Sequence, residues 1–261
     1  MKTLRHWAAA ALFASAALPA SAGKYSDLWW NPNESGWGLA ITQHANNAMF
    51  AAWYIYDGAG RPMWVVMPGG RWTSPSVFTG DLFTTTGPDG LGAFDPARVV
   101  NSRIGVGTLN FTAADRATLS YTAYGISESR ALQRQLFGVP GTVAPGQVGD
   151  MWWNPSESGW GLSISQQHGA LFVVWYTYRA DGTPAWYVMP DGRWSGGTWS
   201  GTLYRTTYAP TPFMGRRFDA AAVAPVPVGT MSLAFSGSNA ATMRYAVGGV
   251  SGAKAISRQP F

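Results

Sequence analysis

The sequence predicts an all-β protein made of two tandem homologous antiparallel units of about seven strands each, every unit a small meander barrel or a sandwich. Three observations carry that expectation. The decapeptide Trp29-Trp30-Asn31-Pro32-Asn33-Glu34-Ser35-Gly36-Trp37-Gly38 returns as Trp152-Trp153-Asn154-Pro155-Ser156-Glu157-Ser158-Gly159-Trp160-Gly161, with only Asn33 replaced. Self-similarity of this kind marks a duplicated structural unit. Apolar residues alternate with period two between Gly, Pro and Asp-Gly breakers that match from one copy to the other, and no segment sustains a helical period.

Residues 1–22 read as a signal peptide. Lys2, Arg5 and His6 precede an apolar run from Trp7 to Leu18, and Ala20-Ser21-Ala22 supplies the small residues a signal peptidase requires, so cleavage is expected after Ala22 and the protein is expected outside the cytoplasm, in the periplasm or beyond. The run is short of the roughly 20 apolar residues of a membrane helix, and no later stretch approaches that length. The first repeat spans 27–137, a Gly/Pro-rich linker 138–149, and the second repeat 150–261.

Each strand is proposed with its counterpart. Trp37 to Gln43 matches Trp160 to Gln166 after an Asn-Pro turn, and Ala48 to Tyr56 matches Ala170 to Tyr178. In the latter strand neither Phe50-Ala52-Tyr54-Tyr56 nor Met49-Ala51-Trp53-Ile55 is polar, so both faces should be covered, although Thr177 in place of Ile55 points to solvent at one end. Pro62 to Met67 matches Pro184 to Met189, with proline only at the ends. Val77 to Thr84 carries an interior glycine, Gly80, matched by Gly201, which signals a bulge or a close backbone approach. Arg103 to Phe111, Ala117 to Tyr124 and Ser127 to Gln135 complete the unit; Ala117, Leu119 and Tyr121 form its inward set. The copies differ most between Gly87 and Arg98 and between Ala209 and Ala222, the natural place for a changed rim. Exchange of strands between copies is a further arrangement the pattern permits.

The chain has no cysteine, hence no disulfide, thiolate nucleophile or lipidated cysteine. A formal charge of +5, with Arg71, Arg98, Arg103, Arg116, Arg130 and Arg134 dispersed, is no nucleic-acid footprint. His44 and His168 have no metal-ligand spacing, Asp57-Gly58-Ala59-Gly60 has too few acids for a calcium loop, and no nucleotide or phosphate loop is present, so no metal or cofactor is expected. Ser35 and Ser158 lack the glycine spacing of a nucleophile elbow.

The distinctive resource is tryptophan, 14 residues in all. Trp29, Trp30 and Trp37 around Glu34, and Trp152, Trp153 and Trp160 around Glu157, combine flat apolar plates with directional polar groups, the composition of surfaces that stack sugar rings. The competing reading places the same residues at the closing corner of each unit, with Asn31-Pro32 a turn. Glu34 and Glu157 are expected to pair with one of the recurring arginines Arg71, Arg134, Arg193 or Arg258. Asp27 with Glu34, and Asp150 with Glu157, form repeated acid pairs, yet the loop does not fix the roughly 5 to 9 Å separation that glycoside hydrolysis requires. Trp53, Trp64, Trp175 and Trp186 form a stripe that packs a core or lines a ligand cavity.

The Trp-Trp-Asn-Pro-x-Glu-Ser-Gly-Trp-Gly block, the Trp-Tyr-x-Tyr and Pro-x-Trp-x-x-Met-Pro strands and the Arg-Gln-x-Phe ending resemble a tandem repeat of exported bacterial proteins, mostly uncharacterised. The resemblance implies export and a repeated β unit, and brings no catalytic role to Glu34 or Glu157. The expected function is therefore non-enzymatic binding through aromatic surfaces, of a glycan or a cell-envelope partner. An apolar-ligand carrier, a structural envelope protein and a hydrolase using the acid pairs are the alternatives.

Overall fold

In the computed structural model, residues 25–210 and 212–261 are described, and the signal peptide expected over 1–22 lies outside them. The first repeat contributes β1 (Asp27–Trp30), β2 (Gly38–Gln43), β3 (Met49–Tyr56), β4 (Pro62–Met67), β5 (Arg71–Ser74), β6 (Val77–Thr86), β7 (Val100–Ala113), β8 (Arg116–Ala123) and β9 (Ile126–Arg134). The second contributes β10 (Asp150–Trp153), β11 (Gly161–Gln167), β12 (Ala170–Tyr178), β13 (Pro184–Met189), β14 (Arg193–Ser195), β15 (Thr198–Thr207), β16 (Ala224–Phe235), β17 (Ala240–Val247) and β18 (Val250–Arg258).

Both repeats are closed antiparallel barrels of eight strands. The sheet runs β4-β3-β2-β1-β9-β8-β7-β6, and β4 returns to β6 through Val65 opposite Thr84 and Val66 opposite Phe83. β13 closes on β15 in the same way, at Val188 opposite Tyr204. Closure removes the free edges that a sandwich would leave. The strand number exceeds the expected seven because β1 belongs to the ladder, between β2 and β9, and because the short β5 pairs along β6 as a flap outside the barrel. Among the described residues the ladders stay within each repeat, and no strand is exchanged.

β8 keeps the alternation read from its sequence: Ala117, Leu119 and Tyr121 are buried, and Thr118, Ser120 and Thr122 are not. All of β3 is buried, for two different reasons. Trp53 packs inside the barrel against Tyr121, whereas Tyr54 and Tyr56 reach the second repeat, at 3.1 Å from Ser163 Oγ and 3.0 Å from Thr206 Oγ1. The solvent expected at Ile55 and Thr177 is absent, since both are fully buried. Gly90 of the first repeat sits on the Thr177 hydroxyl, where a Cβ would stand 1.6 Å from Oγ1.

That cover is part of a reciprocal arrangement. The segment after β6 crosses to the second barrel: the Gly87 and Gly90 amides donate to the Gly182 and Tyr178 carbonyls, and Phe94 stacks on Tyr178. The segment after β15 crosses back. Phe213 packs edge-on against Trp37 and Trp53, Phe218 stacks on Tyr56, and the Tyr208 amide donates to the Gly60 carbonyl. Trp64 Nε1 donates to the Thr177 carbonyl at 3.0 Å, and Trp186 Nε1 to that of Ile55 at 3.1 Å. Each barrel is thus plugged by the most divergent stretch of the other copy.

Gly80 and Gly201 mark close backbone approaches, as the sequence indicates: a Cβ would stand 2.2 Å from the Gly69 carbonyl oxygen and 2.3 Å from that of Asp191. The bulges themselves lie further along, at Leu82/Phe83 and Leu203/Tyr204. Because the Gly69 carbonyl is backbone in the short connection from β4 to β5 and cannot rotate away as a side chain can, Gly80→Ala is expected to lower stability by about 2 kcal/mol. Gly58→Ala, where a Cβ meets nothing within 4 Å, is the near-neutral control. Urea midpoints compare the two, and equal midpoints would count against the close approach.

Candidate binding clefts between the repeats

The repeated decapeptide forms a corner whose alternation sends its tandem tryptophans to opposite sides. Trp29 and Trp152 are fully buried, whereas Trp30 and Trp153 are half-buried. Asn31 Oδ1 accepts the Asn33 amide, and Asn154 caps the 3₁₀ turn Pro155–Glu157, so the asparagines serve the turn. Gly36 and Gly159 adopt φ of 125° and 129°, a region that favours glycine, and lie under Val223 and Val99 of the opposite repeat.

The glutamates lock the corner. Glu34 Oε2 accepts from Trp37 Nε1 at 3.2 Å and pairs with Arg130 Nη1 at 3.0 Å; Glu157 Oε2 accepts from Trp160 Nε1 at 2.9 Å and pairs with Lys254 Nζ at 2.7 Å. The expected partners Arg71, Arg134, Arg193 and Arg258 are therefore corrected. Arg134 and Arg258 instead hold Asp27 at 3.0 Å and Asp150 at 2.7 Å, because β9 and β18 pair with β1 and β10 at those residues. Arg130 and Lys254 stand on the inward side of β9 and β18, their side chains 6% exposed. Arg130 also pairs with Glu128 and donates to the Phe213 and Arg216 carbonyls of the plug. Burial opposes its charge, but Tyr121, Glu128 and Glu34 outweigh that and raise its pKa.

Asp27 and Glu34 thus hold separate cations. The structure brings Asp27 to Asp150 instead, along one polar pocket of 180 Å³. There Gln167 Nε2 donates to Asp27 at 3.0 Å, and His44 Nε2 lies 3.0 Å from Asp150 Oδ1.

The half-buried tryptophans open onto two clefts at the seam. Trp30, Ser35, Trp37, Tyr54 and Gln135 form one wall of the first cleft, and Phe172, Val174, Trp186, Val188 and Thr206 of the other repeat form its opposite wall. The second repeats this plan with Trp153, Ser158, Trp160, Tyr176 and Gln259 facing Phe50, Trp64, Val66 and Thr85. Their volumes are 190 and 340 Å³. Burial pushes the hydroxyls of Tyr54 and Tyr176 well above the ordinary tyrosine value, so these walls stay uncharged. The Ser35 and Ser158 hydroxyls and the Gln135 and Gln259 carboxamides have no side-chain partner among the described residues. Of the residues expected to bind ligand, Trp30, Trp37, Trp153 and Trp160 line the clefts directly and Trp29 touches the first; Trp152, Glu34 and Glu157 line neither.

Among the described residues no group of three or more acidic, histidine or cysteine side chains could hold a metal, and no helix is long and apolar enough to cross a membrane. The class defined by fold and site is a pair of duplicated all-β barrels, mutually plugged, with two quasi-equivalent aromatic clefts between them. Comparison with protein-family models, curated proteins and solved structures finds no match for the chain.

Proposed function

We propose that this protein is an exported, non-enzymatic binding protein that takes neutral glycans in the two clefts between its repeats. The observation that carries the reading is the composition of each cleft: an indole plate, Trp30 or Trp153, flanked by a hydroxyl and a carboxamide that have no side-chain partner among the described residues, Ser35 with Gln135 or Ser158 with Gln259. A sugar ring offers an apolar CH face to such a plate and hydroxyls to such groups. The acids weigh against hydrolysis, since Asp27, Glu34, Asp150 and Glu157 are each bound to a cation and neither glutamate lines a cleft. Export rests on the leader sequence.

Tryptophan fluorescence titrated with neutral gluco-, manno- and N-acetylgluco-oligosaccharides, and in parallel with N-phenyl-1-naphthylamine, tests the reading. Saturation by a saccharide with two sites per chain is expected, and Trp30→Ala or Trp153→Ala should each weaken one site about tenfold or more, equivalent to about 1.4 kcal/mol. Saturation by the apolar probe alone would replace the glycan reading with that of an apolar carrier, for which the aromatic and aliphatic cleft walls are the supporting observation.

A further inference from the structure

The two clefts share a plate and differ in reach. Val174 on the wall of the first stands where the first repeat has Ala52: Val174 lies opposite Ser163 and Val188, as Ala52 lies opposite Ala40 and Val66. Two methyl groups therefore crowd the first cleft and are missing from the second. Asn101 on the wall of the second lies opposite Thr85, and the matching residue opposite Thr206 is Pro225, which does not line the first cleft. The plug segment adds Pro96 and Val99 to the second cleft only. The second cleft is the larger, 340 against 190 Å³.

Asn101 is exposed, and its carboxamide has no partner among the described residues. It offers two donors and an acceptor, whereas a proline side chain offers neither. Placed beside the cleft, Asn101 can bond the hydroxyls of a ligand residue that extends past the indole plate.

Resting on the reading that the clefts hold sugars, we propose that they are not redundant. The cleft at Trp30 takes a single pyranose, and the cleft at Trp153 takes two or more linked residues, with Asn101 bonding the hydroxyls of the second. Asn101 and the Ala52/Val174 difference set the length each cleft accepts.

Calorimetric titration of the full chain with chitooligosaccharides and cello-oligosaccharides of one to three residues tests this. A monosaccharide should fill two sites of similar affinity, and a trisaccharide should bind one site at least about tenfold tighter than the other. Asn101→Ala should narrow that difference severalfold, leaving the share set by Ala52 and Val174, and Trp153→Ala should remove the tighter site alone. The double change Val174→Ala with Pro225→Asn should bring the first cleft toward the affinity of the second, a gain that misfolding cannot imitate. Two sites that strengthen equally with length, or a difference that Asn101→Ala leaves unchanged, would overturn the proposal while leaving glycan binding intact. No saccharide binding at all would overturn the functional reading as well.

Discussion

Arg130→Met should lower the stability of the protein by about 3 kcal/mol, one of the largest losses expected from a single substitution. The methionine preserves much of the apolar volume beside Trp37 and Phe213, so the loss isolates the charge. Removing one side of a buried ion pair costs about 3–5 kcal/mol because the partner stays behind uncompensated. Here two carboxylates are stranded, Glu34 and Glu128, together with the carbonyls of Phe213 and Arg216. Both acids retain some solvent, at 19% and 22% exposure, which places the expectation at the lower end of that range. Arg130→Lys should recover part of the loss. A lysine suffices at position 254 because, among the described residues, its hydrogen-bond partners are Glu157 and the Gly92 carbonyl, and Gly252 stands where the first repeat has Glu128. Urea denaturation measures these differences, and an Arg130→Met midpoint equal to that of the parent would remove the clamp from the account.

Residues 25–137 expressed alone should not form a stable monomer. The barrel ladder would be complete, but Trp37 and Trp53 would lose Phe213, Tyr56 would lose Phe218 and Tyr208, and Trp64 Nε1 would lose the Thr177 carbonyl. Exposing that many aromatic faces removes several side-chain burials worth roughly 1.5–3 kcal/mol each. The fragment carries its own plug, with Phe94 and Val99, so the expected folded form is a symmetric dimer in which each copy closes its neighbour. Light scattering on the eluted fragment distinguishes the outcomes. A monomer with native near-ultraviolet circular dichroism would show that the plugs are dispensable.

Much of the ladder was legible in the sequence because period-two patterns are local. β1 was hidden because its four residues include two adjacent tryptophans, one turned inward and one outward, which read as a motif before they read as a strand. β5 is shorter than any pattern can resolve and pairs only with β6. The half-buried plates Trp30 and Trp153 could be named in advance, but their opposite walls could not, since Phe172 and Trp186 come from the other repeat and no local pattern encodes that register. Arg130 and Lys254 left a usable signal: a charged residue on the inward parity of a strand, two before Leu132 and Ile256. The repeat comparison hides it, because Arg71, Arg134, Arg193 and Arg258 recur as arginines whereas Arg130 is matched by a lysine. The exposure expected at Thr177 failed for the same reason as the clefts, because Gly90 covers it from the other copy.

The reciprocal plugs also set an order of events during synthesis. The eighth barrel strand of the first repeat, β9, is complete at Arg134, yet Phe213 and the carbonyls that receive Arg130 are made only after β15 has followed it. Until then the barrel has an open aromatic mouth at Trp37 and Trp53, the kind of exposed apolar surface that invites aggregation. Completion of the first half therefore waits on arrival of the second, and a chain cut short beyond the linker leaves an unfinished barrel.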